Sequence, residues 1–328
     1  MIKKFLFLMI FSISLFAQDS ALFNIVKNVS IPDVQTAIKD AKALKANYSD
    51  ENFTNFIRAW KKVEALYFAG EIDDDYLDTP RYMDVFNNLK EDLNSQMQRV
   101  IDSNDDPKKA LFKNSFKTVN ALEYVLYSDK TITDRKKAIA GVIIDSLVSK
   151  LEDIKGAYEE FLTSKPKDEK FDTAIVINTL IASTYRLKEW RIGNASGSSS
   201  KFKNDPNNNR AEYFLSQNSF AAIDAILDAQ KEILEDKNYY NFASLSKKLN
   251  AQKELKVALD KIIETKEKLS KLKKDDFSKA QDLFESARAL HNAYYLSLID
   301  KLGLKANVLD ADGDWLKNEW FFCTWIFS

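Results

Sequence analysis

Glu123 sits in the setting that most demands chemistry. It lies between Leu122 and Tyr124 in the run from Phe116 to Tyr127, where most neighbours are apolar, so its carboxylate is expected to be at least partly buried and in need of a partner. Arg191 and Arg210 flank a later loop and are candidate partners. An ion pair with either is a structural use of Glu123; binding a cation or a ligand is the functional one. Glu212 and Ser216 follow with a spacing of one helical turn. They read either as part of a site or as charge and cap at a helix start. Catalytic zinc needs three protein ligands rich in His or Cys and a glutamate free to act as base. This chain has one His, His291, one Cys, Cys323, and no HExxH. Counted from Phe284, His291 falls in register with an apolar stripe, as a packed imidazole would. Asp310, Asp312 and Asp314 surround Gly313, but an EF-hand needs its glycine two residues later and a glutamate at the twelfth position, where Phe321 stands. Solvated turn acids are the plainer reading. No nucleophile elbow accompanies the single histidine, so no Ser-His-Asp arrangement is inferred. The pairs Tyr239-Tyr240 and Tyr294-Tyr295 are read first as core packing.

The elements that must position these residues are helices. Only 7 Gly and 5 Pro interrupt 328 residues that are 45% apolar and 30% charged, the composition of long amphipathic helices and not of many short strands. In the segment 251–270, Leu255, Leu259, Ile262, Ile263 and Leu269 fall on one stripe with lysines and glutamates opposite, which requires a core to pack on. Similar periodicity predicts helices over 33–46, 51–68, 79–101, 107–127, 134–162, 168–190, 210–234 and 275–302. Ser49-Asp50 marks one helix start, and Pro80 and Pro107 occupy first-turn positions. No segment reads as a strand. Gly193 to Asn209 has no periodicity, and a loop of that length in a compact protein is functional or mobile.

Acids and bases are mixed along the chain, and the formal charge of −1 becomes −3 once Lys3 and Lys4 are removed. A nucleic-acid binder would gather its basic residues on one face, so that class is excluded. Those two lysines precede an apolar run from Phe5 to Ala17, too short to span a hydrocarbon core of about 30 Å. A signal peptide over 1–17, export to the periplasm and no membrane span are the expectation. The tail from Trp320 to Phe327 is likewise too short to span; it reads as a strip that docks in a groove or offers an adhesive patch to an envelope protein partner. A lone cysteine permits no intramolecular disulfide. Roughly 310 mature residues exceed one ordinary core, and the polar stretch Thr163 to Asp168 divides the rest into an N-terminal bundle, 18–165, and a C-terminal bundle, 166–328.

Several blocks, in order, resemble the imelysin family. Thr118-Val119-Asn120-Ala121-Leu122-Glu123 is similar to its GxHxxE signature, with the Glu retained at Glu123, Thr118 in place of Gly and Asn120 in place of His. Ala59-Trp60, Trp190 to Gly193, Arg210 to Ser219, Leu302 to Leu304 and Asp310 to Asp314 match further blocks, so the resemblance spans nearly the whole mature chain. It implies an all-α fold of two packed four-helix-bundle-like domains with a site near their interface, formed here by Asn120, Glu123, Arg191, Glu212 and Ser216, with Glu123 the metal-ligand candidate. Some members of that family are classed as metallopeptidases, and others look like iron-regulated proteins or iron-uptake components. A His and a Glu three residues apart share a helix face and can point at one ion; Asn offers only a carbonyl oxygen, poor for zinc and tolerable for harder cations. The substitution favours a periplasmic binding or accessory protein over an active peptidase. Its ligand would be a divalent or ferric ion or another small molecule linked to metal nutrition.

Overall fold

A computed structural model describes residues 20–87, 90–164 and 168–306. The leader, the aspartates around Gly313, Cys323 and the aromatic tail therefore lie outside the described residues, as do 165–167 at the expected domain boundary. Among the described residues every regular element is helical.

In the N-terminal half, helices Ile31–Ala46, Asp50–Ala65, Val119–Tyr127 and Asp134–Thr163 pack on one another, and Leu93–Asp102 closes against Val119–Tyr127. In the C-terminal half, Glu169–Arg186, Ser219–Leu234, Gln252–Ser270 and Gln281–Asn292 form the second group. Asp50–Ala65 packs along Ser219–Leu234, which makes it the main seam between the halves. The chain's first described turn, Ala21–Ile25, crosses to touch Glu169–Arg186 and Phe242–Lys248.

Asp50–Ala65 shows why these residues make such elements. The Ser49 hydroxyl accepts a hydrogen bond from the Asn52 N–H at 3.2 Å, and Asp50 and Glu51 sit in the first turn, where negative charge suits the helix dipole. Its buried face runs Phe53, Phe56, Ile57, Trp60, Lys61, the i, i+3, i+4 pattern of a core-facing helix. Lys61, fully buried, is the exception in kind.

Two predicted helices are broken. The stretch expected over 79–101 is two helices, Thr79–Met83 and Leu93–Asp102, with Asp84 extended between them and Asp92 capping the second through a bond from the Ser95 N–H. The stretch over 107–127 resolves into Pro107–Ala110, a 3₁₀ turn Asn114–Lys117, and Val119–Tyr127 capped by Thr118. The expected start of the next helix near Arg210 moves to Ser219, because 211–218 folds as turns with Tyr213 and Gln217 in the left-handed region at φ 57° and 54°. The N–H groups of Ser219 and Phe220 are accepted by the distant Asp275 carboxylate, at 3.1 and 2.8 Å.

Candidate functional site

The helix bearing Arg191 widens to a π-helical segment over Leu187–Gly193 before ending at the left-handed Gly197. Such segments insert a residue and turn side chains off the regular stripe. Here Arg191 is buried against the helix Asp50–Ala65. Its Nη2 donates to both oxygens of Glu64, at 2.7 and 2.8 Å, and its Nε donates to Glu212 Oε2 at 2.8 Å.

One oxygen from each of three carboxylates also converges on Lys61. Its Nζ donates to Glu64 Oε2 at 2.7 Å, Asp84 Oδ2 at 2.7 Å and Glu212 Oε1 at 2.5 Å. Asp84 Oδ2 also accepts from the Tyr213 hydroxyl at 3.0 Å and Trp60 Nε1 at 3.3 Å, while its Oδ1 accepts the Phe86 N–H at 2.9 Å. The Lys61 ammonium stands 5.2 Å from the centre of the Tyr213 ring, within cation–π range. The left-handed turn at Tyr213 aims that ring and hydroxyl inward while its neighbour Glu212 meets the two cations.

Glu123 is buried one step away. Its Oε1 accepts the Ser216 N–H at 2.9 Å and the Ser216 hydroxyl at 2.7 Å. Neither arginine expected as its partner reaches it: Arg191 is committed to Glu64 and Glu212, and Arg210 pairs with Asp205 inside its own loop at 2.5 Å. The reason is local, since the turns of 211–218 bring a backbone donor to Glu123 where a regular helix would have spent that N–H internally. Glu212 and Ser216 accordingly do not share a helical turn. Asn120, one turn before Glu123, uses its carbonyl oxygen to accept the Val85 N–H at 2.8 Å, tying down the extended segment that carries Asp84.

Burial is the largest single influence on each of these groups, and neighbouring charges decide which way each one moves. It raises Glu123 to about 7, against the two Ser216 donors and with help from the negative charges of Glu212 and Asp84. Burial likewise pushes Glu212 up to about 7 against Arg191 and Lys61. For Asp84 burial is outweighed by Lys61, which holds the carboxyl well below the usual range; for Lys61 it is outweighed by the three carboxylates, which keep the amine charged.

Of the five residues expected to form the site, Arg191 and Glu212 meet directly, Glu123 and Ser216 meet directly, and Asn120 supports the Asp84 segment. Lys61, Glu64, Asp84 and Tyr213 were missed. A signal for two of them exists: Lys61 lies four residues after Ile57 and Glu64 four after Trp60, so both prolong the buried stripe. His291 lies elsewhere, with Nδ1 3.1 Å from the Thr184 hydroxyl and its ring stacked 5.6 Å from Tyr295. Burial, then Lys188, lowers it to about 4.

Glu64, Asp84 and Glu212 are the cluster among the described residues whose oxygens lie close enough, within 4.8 Å of one another, to surround one metal ion. Those carboxylates are already bound to Lys61 Nζ. With Lys61 in place, the donor set does not fit a metal.

The family model for imelysin (Peptidase M75) matches residues 23–303. An imelysin-like protein from Psychrobacter arcticum 273-4 superposes with a TM-score of 0.73 at 16% identity, over 88% of this chain and 96% of that one. A protein from Parabacteroides distasonis ATCC 8503, named as an iron-regulated protein A precursor, gives 0.63 at 10% identity over 86% and 94%. Comparison with curated proteins yields no match. Matched over most of its length, with its half-kept signature helix set against a buried ionic centre between two helical bundles, the chain belongs to the imelysin family.

Proposed function

We propose that this protein is an exported, periplasmic binding or accessory protein serving iron-linked or other metal-related nutrition, and not a working metallopeptidase. The observation that carries this reading is the use made of the signature helix. Asn120 spends its one carbonyl oxygen on the Val85 N–H, and Glu123 accepts two bonds from Ser216. Both oxygens are thus taken up by donors of the protein itself, whereas peptidase chemistry needs such groups directed at a metal ion. The iron link is supported by the name of the Parabacteroides neighbour, and export by the Lys3-Lys4 leader followed by its apolar run.

Ligand contact is proposed at the bundle interface around Asn120, Glu123, Arg191, Glu212 and Ser216. The loop 211–218 that supplies two of these also borders a surface groove of about 370 Å³, lined by Phe214, Gln217, Asn208, Lys273 and Asp275 among others. A small metal complex or an envelope protein segment seated there would press on the backbone that holds Ser216 against Glu123. The test is a deletion strain grown with and without iron limitation, with the protein followed by cell fractionation. A growth deficit restricted to low iron, restored by the parent gene, and a periplasmic location are expected. Chelator-sensitive cleavage of a protein substrate that disappears in Glu123→Gln would overturn this reading in favour of a peptidase.

A further inference from the structure

We infer that the Lys61 ammonium is a built-in cation that fills a three-carboxylate pocket in place of a metal ion, and that removing its side chain turns that pocket into a divalent-cation site. The inference concerns what holds the centre together and stands whether or not the nutritional role is correct.

The cluster is more than a concentration of acids, because it already holds a cation. An ammonium has three N–H donors, and each meets an oxygen from a different carboxylate, at 2.7, 2.7 and 2.5 Å. The fourth tetrahedral direction of Nζ is its own aliphatic stem. Lys61 is thus satisfied in full by the protein, and its fully buried ammonium stands where the three carboxylates converge.

What remains if that stem is removed is a prepared cation cage. The carboxylates do not depend on Lys61 alone for their orientation. Arg191 grips both oxygens of Glu64 and the second oxygen of Glu212, and Tyr213, Trp60 and the Phe86 N–H hold Asp84. Such outer partners fix ligands in metal sites. Three carboxylates with no nitrogen or sulfur donor suit hard cations such as Mn²⁺, Mg²⁺ and Ca²⁺. Charge balance agrees, since three carboxylates against Arg191 and one divalent ion sum to zero, whereas with Lys61 they retain one net negative charge.

The experiment uses the full mature chain and three forms of it: parent, Lys61→Ala and Lys61→Met. Both substitutions delete the charge, but only alanine vacates the volume; methionine keeps a stem of similar length. Each form is titrated with MnCl₂ and CaCl₂ at pH 7.5, with thermal unfolding and metal content after gel filtration as readouts. Lys61→Ala is expected to retain one equivalent of ion, to bind at least about tenfold tighter than the parent, and to melt at a temperature that rises with metal. Parent and Lys61→Met should show neither retention nor a metal-dependent shift. One equivalent bound by the parent and lost in Asp84→Asn would overturn the inference, since the pocket would then be open as it stands. So would a Lys61→Ala chain that folds without gaining metal, or one that stays unfolded in millimolar Mn²⁺.

Discussion

Replacing Glu123 by Gln isolates the cost of placing an ionised carboxylate at this interface. Gln keeps the shape and an oxygen that can accept from the Ser216 N–H and hydroxyl, so little packing changes. The carboxyl, with an ordinary value of 4.5, is raised by burial to about 7. A raised acid makes stability greatest below the unfolded value and erodes it as pH climbs through the folded one, because the unfolded chain ionises first. At 1.36 kcal/mol per pH unit, the interval from 4.5 to about 7 sets a ceiling of roughly 3 kcal/mol on that erosion. Urea denaturation of parent and Glu123→Gln at pH 4.5, 6, 7 and 8 should therefore show the variant gaining on the parent as pH rises, by roughly 1–3 kcal/mol between pH 4.5 and 8. A difference that stays constant over this range, or one in which Gln loses ground at high pH, would show that Glu123 is not desolvated in the way its burial implies.

Other outcomes follow from neighbouring contacts. Arg191→Met strips two buried carboxylates, Glu64 and Glu212, of a shared guanidinium, and should cost about 3–5 kcal/mol in denaturant titration at pH 7.5, with a smaller loss at pH 5 where Glu212 takes up a proton. Gly197 has φ 72°, and a Cβ there would come within 2.6 Å of Pro206 N; Gly197→Ala should cost more than about 1 kcal/mol, and proteolysis in the loop 198–209 should accelerate. His291 is the chain's one histidine, so its ring protons give an unambiguous NMR signal. They should stay unshifted from pH 8 to 5.5 and titrate only near pH 4.

The all-α class was legible because periodicity and scarce breakers point the same way over hundreds of residues. The breaks at 84–87 and 111–118 were not, because their supports are distant: Asn120 accepts the Val85 N–H, and Glu91 receives Lys113, Gln96 and Ser115. Glu123 could be marked as a buried acid from its apolar neighbours alone. Its partner could not, since nothing local announces that two left-handed residues, Tyr213 and Gln217, bend 211–218 until Ser216 faces it. Lys61 was hidden differently. It prolongs the stripe begun by Phe53 and Ile57, but it sits beside Lys62 in a helix rich in charge, where an exposed face is the ordinary reading.

The ionic centre draws Lys61 and Glu64 from one helix, Asp84 from an extended link, Arg191 from a π-helical turn and Glu212 from a strained loop, positions spread across about 150 residues of sequence. No contiguous fragment of the N-terminal bundle can neutralise its own share of that charge. Separating the halves would break the Lys61–Glu212 and Arg191–Glu64 pairs that join them and open their apolar seam to water, so the two halves should melt in one shared transition, and the protein should resist being divided into independently stable pieces.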